Sequence, residues 1–335
     1  MNDLTREGVK YRAYNFSGNS SKAIATVAVG ESYLENWEQN SLPGWMDYAT
    51  RFDISIFVFL SRLGGAAEAS ARSASWDKLL VPQFLGKSHP QLGEICLLDT
   101  DFAIGPFAPN IFESHAPGQY SVVSQEKNLP FSVKEVRRRI ALLRREYYDS
   151  SYPLDSLLQA TPAQLFELHG LNSHDDYFCA GLIMLDQQNF DDLAECYDHY
   201  PIEKISSSAA WEEPFVNDWI QGRSINWLPY EYQSIWLFEM AGLYPWLYGQ
   251  KPTGQIAPES LHALGACLLN RYFVHFAGSW SEADYWHYVP LLEREAFYAD
   301  FLRLLRNSKT DFSGISRGKL GPPPLPESGT PNHSA

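Results

Sequence analysis

The chain carries the sequence Glu94-Ile95-Cys96-Leu97-Leu98-Asp99-Thr100-Asp101, an apolar, strand-like run that ends in two carboxylates one residue apart. Successive side chains of a strand alternate between its faces, so we expect Asp99 and Asp101 to point the same way, with Cα atoms roughly 6.6 Å apart. Carboxylate oxygens suit Mg²⁺ or Mn²⁺, and ligands of open α/β sheets collect beyond the carboxyl ends of the strands. The stretch predicts a metal-dependent nucleotide or nucleotide-sugar site. A plain Asp turn is the alternative.

The flanking sequence alternates strand-like and helix-like segments. Residues 23–30 form a near-continuous apolar run closed by glycine, residues 55–60 form a second one, and residues 31–41 between them fit a helix. This order predicts an α/β fold with a Rossmann-like mixed central sheet flanked by helices, in which residues 22–125 form the nucleotide-binding half. Neither a Gly-x-Gly-x-x-Gly nor a Walker motif is present, which excludes the usual dinucleotide and P-loop sites.

The second half of the chain divides into three predicted parts. Residues 130–175 read as a helical insertion, because residues 132–149 carry an apolar stripe and Thr161-Pro162 is a helix start. Residues 176–306 hold further strand-like runs and are predicted to form the second half of the domain, which would bind the acceptor substrate. Residues 307–335 are rich in Gly, Ser and Pro and are expected to form a disordered tail.

The amino-acid composition limits which binding partners and which cellular compartment are expected. A formal net charge of −14 argues against nucleic acid or an anionic membrane as the main partner, since both require a clustered basic surface. We see neither a signal peptide nor an apolar run long enough to cross a bilayer, so a cytoplasmic protein is expected. The four cysteines are scattered and predict buried thiols. The oligomeric state, including a homo-oligomer, stays open.

Several short motifs follow one another in a fixed order: Val27-Ala28-Val29-Gly30, Trp76-Asp77-Lys78, Leu98-Asp99-Thr100-Asp101, Cys179-Ala180-Gly181, Asn217, Trp227-Leu228-Pro229 and His275-Phe276-Ala277-Gly278. Over roughly residues 22–282 this series resembles the retaining glycosyltransferases of the glycogenin and bacterial lipopolysaccharide galactosyltransferase group. The resemblance implies a single GT-A domain over residues 1–306, a UDP-sugar donor, a bound Mn²⁺ or Mg²⁺, a carbohydrate or glycoconjugate acceptor, and transfer with retention of configuration.

The resemblance also implies roles for individual residues. Asp99, Asp101 and His275 would bind the metal, and an imidazole beside carboxylates favours Mn²⁺ over Mg²⁺. A satisfied core histidine is the alternative for His275, and an exposed helix lysine is the alternative for Lys78. The implied donor contacts are Ala28, Val29, Gly30, Tyr33, Lys78, Asp99, Thr100, Asp101, Ala180, Gly181 and Gly278.

Two carboxylates are the candidate catalytic residues, Glu213 and Asp176. Glu213 stands where relatives carry a glutamine on the β face of the sugar, so it would shield or attack an oxocarbenium-like centre. Same-face attack, in which the leaving phosphate takes the acceptor proton, needs no protein nucleophile. An ordinary surface Glu213 is the alternative.

Three departures from the family pattern qualify the prediction. Cys179 replaces the usual asparagine, which leaves the donor sugar undetermined. Ser279-Trp280-Ser281 replaces a Lys-Pro-Trp run and removes a cation expected near the diphosphate, for which Lys78 or Lys251 would substitute. Glu212-Glu213 replaces an Asp-Gln pair.

Two other functions use the same features. A nucleotidyltransferase would share the carboxylate pair but requires a basic glycine-rich loop after its first strand, whereas Val29-Gly30-Glu31-Ser32 is acidic. A catalytically inactive pseudo-glycosyltransferase scaffold would keep the fold alone, and the missing lysine after Gly278 favours it.

Overall fold

The computed structural model describes residues 1–65, 72–202, 205, 211–250 and 257–307. Its strands are β1 (Asn2–Arg6), β2 (Val9–Tyr14), β3 (Lys22–Val27), β4 (Ser55–Phe59), β5 (Glu94–Leu98), β6 (Phe102–Ile104), β7 (Tyr120–Val122), β8 (Leu182–Asp186), β9 (Ile225–Trp227), β10 (Ser234–Ile235) and β11 (Phe273–His275). Its α-helices are α1 (Glu31–Asn40), α2 (Leu42–Phe52), α3 (Val81–Ser88), α4 (Val133–Tyr147), α5 (Pro162–Leu168), α6 (Phe190–His199), α7 (Glu213–Gln221), α8 (Trp236–Leu243), α9 (Pro258–Asn270) and α10 (Ala296–Asn307). Short 3₁₀ helices include Ala74–Leu79, Tyr230–Gln233 and Ala283–Arg294. Lys251 and residues 308–335, which make up nearly all of the predicted tail, lie outside the described residues.

Two sheets organise the described part of the chain. Eight strands form a mixed sheet in the order β1-β2-β4-β3-β5-β8-β7-β9, in which β3 is parallel to both β4 and β5. The other three form a small sheet in the order β10-β11-β6. Helices cover the large sheet, so the predicted α/β fold with a mixed central sheet flanked by helices is confirmed.

The hairpin of β1 and β2 at the start of the chain was not predicted. Val9, Tyr11 and Ala13 alternate inward along β2, and β2 pairs antiparallel with β4. Glu7 and Gly8 both have positive φ angles, of 52° and 80°, which is the backbone that a tight two-residue hairpin turn requires. The polar composition of residues 1–10 hid this strand pair.

The core lies on both faces of the large sheet. Ala23 and Ala25 of β3 belong to a buried cluster that includes Leu85 of α3 and Leu193 of α6. Ile24, between them in the sequence, belongs to a different cluster that contains Trp37, Trp45 and Tyr48 of the first two helices. This alternation is what the pleat of a strand buried on both faces produces.

The carboxylates of the Asp99–Asp101 triplet lie where the chain passes from the large sheet to the small one. Strand β5 ends at Leu98, and residues 99–101 form a turn that leads into β6. The prediction that both carboxylates extend the strand is therefore wrong in this detail. Strand β6 pairs antiparallel with β11, and its Phe102 lies opposite His275. This pairing brings the histidine next to the turn.

The helical predictions agree closely with the structure. Helix α4 begins after Ser132, whose side chain accepts the N–H of Glu135, and α5 begins at a Thr161–Gln164 capping box. The helix predicted over residues 31–41 is α1, which ends at Asn40, and Pro43 lies in the first turn of α2, where its missing N–H has no cost.

The structure also bears on the predicted buried thiols and on the predicted absence of a membrane-spanning segment. All four cysteines are free and buried, as predicted. Within the described ranges, no helix combines the length and the apolar character that a bilayer crossing requires.

Candidate metal centre and active site

Two carboxylates and one imidazole converge at the turn after β5. Asp99, Asp101 and His275 each offer a ligand atom, and these atoms lie within 4.8 Å of one another. Nε2 of His275 lies 3.2 Å from Oδ1 of Asp101. Asp101 is anchored by its main chain, because its carbonyl accepts the N–H of Phe276, one residue after the histidine. This donor set of carboxylate oxygens and an imidazole nitrogen is one that divalent metal ions bind.

The charges around the turn also fit a divalent cation. Asp99, Asp101 and Glu212 bring three carboxylates together, and Lys78 is the ammonium group that contacts two of them. The side chains of Asp99 and Asp101 keep 35% and 28% of their surface exposed, so an ion can reach them. Acidic groups in excess over their counter-charge are stabilised by a cation.

The pKa values of the candidate ligands are shifted by burial and by one another. Burial raises the pKa of Asp99, although Lys78 and His275 oppose it. Burial also acts to raise the pKa of Asp101, but the adjacent His275 holds it below its ordinary value. Burial acts to lower the pKa of His275, and Asp101 more than offsets this, so the imidazole pKa is raised.

The imidazole of His275 is held by its neighbours on several sides. Its ring stacks on Phe102, with centroids 4.2 Å apart and planes 13° apart. Gly181 is so close that a Cβ built on it would overlap Cε1 of the ring and lie 2.9 Å from Nδ1. The Sγ atom of Cys179 lies 3.5 Å from Nδ1, and Gln233 approaches the same nitrogen. Gly181 therefore borders the imidazole, and its implied contact with the donor stays a prediction.

We expect Gly181→Ala to weaken metal binding by roughly tenfold or more, because the new methyl group must displace the ring of His275. The free energy of unfolding should fall by about 1–3 kcal/mol, as in other overpacked cores. A Mn²⁺ titration and urea unfolding measure the two effects. Gly222→Ala is the matched control, since its Cβ would meet nothing closer than 3.5 Å. Equal Mn²⁺ affinity in the two variants would contradict this account of Gly181.

Lys78 is buried and lies in the middle of the acidic groups. It is on the 3₁₀ helix Ala74–Leu79, with 7% of its side chain exposed, so it is not an exposed helix lysine. Its ammonium contacts Oδ1 of Asp99 at 2.5 Å and Oε1 of Glu212 at 2.9 Å, and it donates to the carbonyl of Ala180 at 3.1 Å. Burial acts to raise the pKa of Glu212, but Lys78 lowers it below its ordinary value.

Glu213 lies beside this cluster, at the start of α7. One of its carboxylate oxygens accepts the N–H of Ala180 at 3.2 Å, so Ala180 contacts Lys78 through its carbonyl and Glu213 through its amide. Burial and the neighbouring Glu212 raise the pKa of Glu213. Glu213 is thus not an ordinary surface residue. It contacts Ala180, and the next residue, Gly181, borders His275.

Asp176 makes a different set of contacts. Its carboxylate accepts hydrogen bonds from the hydroxyl of Ser124 at 2.6 Å and from the N–H of Tyr177 at 2.8 Å, and it pairs with Lys127 at 3.2 Å. These contacts fix the start of the segment 176–181. The catalytic role implied for Asp176 stays a prediction.

The predicted nucleotide contacts lie at the end of β3. The N–H of Ala28 donates to the carbonyl of Phe59, and Gly30 has a φ angle of 111° immediately before α1. Tyr33, on the first turn of α1, is 63% exposed, so its ring is available to a ligand. Val29 is partly buried. Their contact with a nucleotide stays a prediction.

Thr100 and Gly278 complete the predicted donor contacts. The carbonyl of Thr100 accepts the hydroxyl of Ser41, which itself accepts the indole N–H of Trp286. Gly278 is exposed and has a φ angle of 109°, a backbone that favours glycine. Ser41 had no sequence signal, because it lies some sixty residues from the turn that it holds.

The comparisons with known proteins give only distant likenesses. No protein-family profile and no curated protein matches the chain. A glycosyltransferase involved in the glycosylation of the major capsid of PBCV-1 is 10% identical, with a TM-score of 0.43 over 81% of this chain and 100% of that one. The WbbM bifunctional glycosyltransferase is 11% identical, with a TM-score of 0.41 over 85% of this chain and 52% of that one. Likenesses this distant assign no function.

Proposed function

We propose that the chain is a metal-dependent glycosyltransferase that moves a sugar from a UDP-sugar to a carbohydrate or glycoconjugate acceptor with retention of configuration. The observation that carries the proposal is the convergence of Asp99, Asp101 and His275, which lie far apart in the sequence, within 4.8 Å at the end of a central strand. Lys78 and Glu213 border the same space. The sequence resemblance supplies the reaction class and the retaining stereochemistry.

In this proposal, Asp99, Asp101 and His275 would hold Mn²⁺ or Mg²⁺. A metal there would supply Lewis-acid stabilisation of the charge that develops on the departing diphosphate. Lys78 favours the ionised forms of Asp99 and Glu212 through its two ion pairs. The end of β3, with Ala28, Val29, Gly30 and Tyr33, would bind the uridine, and Thr100, Ala180 and Gly278 would border the rest of the donor.

Glu213 would stabilise the oxocarbenium-like centre from the β face of the sugar. We expect Glu213→Gln to lower kcat roughly 10²-fold with little change in KM, as when one preorganised electrostatic group is removed. Steady-state kinetics with the best UDP-sugar measures this. Glu195→Gln, an exposed position on α6, is the matched control. Unchanged turnover in Glu213→Gln would remove Glu213 from the reaction.

The raised pKa of His275 predicts how metal binding depends on pH. Protons compete with the metal for the imidazole, so Mn²⁺ affinity should fall as the pH falls through this pKa. Because the pKa is raised, the loss should begin above the ordinary imidazole value of about 6.5. Calorimetric titrations of Mn²⁺ over a pH series measure the slope, and His275→Gln should flatten it. A pH-independent affinity of the unmodified protein would contradict the prediction.

Thermal unfolding with UDP and Mn²⁺ tests the proposal most directly. A ligand that binds only the folded state raises the unfolding temperature, so UDP with Mn²⁺ should stabilise the protein more than either alone. A panel of UDP-sugars, followed by NMR of the anomeric proton of the product, then tests transfer and retention. Stabilisation without turnover of any donor would favour the inactive scaffold. Preference for another nucleotide would favour a nucleotidyltransferase.

A further inference from the structure

Gln233 is a buried glutamine whose side-chain amide lies beside His275. It is 2% exposed and ends the 3₁₀ helix Tyr230–Gln233, immediately before β10. Strand β10 runs parallel to β11, with Ile235 opposite His275. The pairing of these two short strands therefore brings the glutamine amide next to the imidazole.

The amide nitrogen of Gln233 donates to one carbonyl and lies near one ring nitrogen, whereas its oxygen has no partner among the described residues. Nε2 lies 3.1 Å from the carbonyl oxygen of Cys179 and 3.4 Å from Nδ1 of His275. Oε1 is buried without a hydrogen-bond partner. A buried, unsatisfied polar atom costs about 1–3 kcal/mol.

The direction of this amide determines which ring nitrogen carries the proton. The neutral imidazole has one N–H donor and one acceptor nitrogen. When Gln233 donates to Nδ1, Nδ1 is the acceptor and the proton lies on Nε2, where it donates to Oδ1 of Asp101 at 3.2 Å. In this tautomer Nε2 has no lone pair to offer a metal ion.

The ring of His275 is packed on two sides, which opposes an exchange of the positions of its two nitrogens. Phe102 stacks on it at 4.2 Å, and Gly181 leaves no room for even a methyl group beside it. Two features of the site can still change, which are the position of the ring proton and the direction of the Gln233 amide. If the amide turns by half a rotation, Oε1 takes the place of the nitrogen and accepts a proton from Nδ1.

We infer that Gln233 is a positioning residue whose amide selects the tautomer of His275 and thereby controls whether Nε2 can bind a metal ion. This inference rests on the proposed function for the metal site itself. Turning the amide loses the hydrogen bond to the carbonyl of Cys179 and satisfies Nδ1–H, while Nε2 becomes a ligand. Partners of this kind, on the far nitrogen of a ligating histidine, commonly change metal affinity 10- to 100-fold.

The tautomer is measured by ¹⁵N NMR of the imidazoles in protein stripped of metal with a chelator, at a pH where His275 is neutral. Comparison with His275→Gln assigns the signals. We expect the Nε2–H tautomer in the unmodified protein and the Nδ1–H tautomer in Gln233→Glu, because a carboxylate can only accept from Nδ1. An Nδ1–H tautomer in the unmodified protein, or no change in Gln233→Glu, would overturn the inference.

The metal affinity is measured by Mn²⁺ titration of three variants. Gln233→Met keeps the volume but offers no acceptor, so Mn²⁺ affinity should fall 10- to 100-fold. Gln233→Glu should bind Mn²⁺ at least as tightly as the unmodified protein. Gln83→Met, on α3, is the matched control. Thermal unfolding without metal confirms that each variant is folded.

The outcomes separate this inference from the proposed function. If Gln233→Met binds Mn²⁺ normally while Cys179→Ala does not, the Sγ atom 3.5 Å from Nδ1 holds the proton and the role of Gln233 is overturned. If the unmodified protein binds no Mn²⁺ at all, the proposed function fails together with the metal half of this inference. A wrong tautomer with intact Mn²⁺ binding overturns the inference alone.

Discussion

Asp101→Asn should lower kcat for sugar transfer by roughly 10³-fold, because metal stabilisation of the leaving group is several kcal/mol and each 1.36 kcal/mol is a factor of ten. The substitution keeps the shape of the side chain and removes a charged ligand from the group formed with Asp99 and His275. It also weakens the contact of Asp101 with Nε2 of the imidazole. Transfer assays at saturating donor over a Mn²⁺ series measure the loss.

Asp155→Asn is the control for this experiment, since it removes the same charge from an exposed position outside the site. Excess Mn²⁺ should restore only part of the activity of Asp101→Asn, because a weakened site can be filled but its charge stays reduced. Full activity of Asp101→Asn at ordinary Mn²⁺ would refute the assignment of Asp101 as a ligand.

Lys78→Met should lower the free energy of unfolding by about 3–5 kcal/mol, the usual effect of removing one partner of a buried ion pair. The loss comes mainly from Glu212, whose side chain is 9% exposed and would keep a charge without its counter-ion. Asp99 is more open to solvent and should contribute less. Urea unfolding followed by circular dichroism measures the change.

Lys127→Met is the matched control, because Lys127 also pairs with a buried carboxylate, that of Asp176, but its own side chain is 59% exposed. The loss should be smaller than for Lys78→Met, because Asp176 keeps the hydrogen bonds from the Ser124 hydroxyl and the Tyr177 N–H. The double variant Lys78→Met/Glu212→Gln should recover part of the lost stability, since the uncompensated charge is gone. A Lys78→Met variant as stable as Lys127→Met would show that the buried charge cluster does not stabilise the fold.

Local sequence pattern predicted the elements that hold one half of the site. The apolar runs that became β3, β4 and β5 are buried on both faces, and such runs are recognisable without their partners. The position of Asp99 and Asp101 beyond β5 followed from the same pattern. Their geometry did not, because the chain turns after Leu98 to enter a second sheet.

The other half of the site depends on contacts between distant segments. His275 reaches Asp101 only because β11 pairs with β6, and no periodicity in the sequence specifies that pairing. The resemblance to a known family supplied the histidine. It did not supply the ion pair between Lys78 and Glu212 or the amide of Gln233, since each is an ordinary polar residue whose role appears only when its buried neighbours are known.

The turn between β5 and β6 joins two sheets that have separate hydrogen-bond ladders. Asp99 and Asp101 lie on this turn, whereas His275 comes from the middle strand of the small sheet. An ion bound by all three would cross-link the two ladders at their junction. Binding at the donor site and the stability of the contact between the two sheets would then be thermodynamically linked. A bound substrate would therefore stiffen the protein.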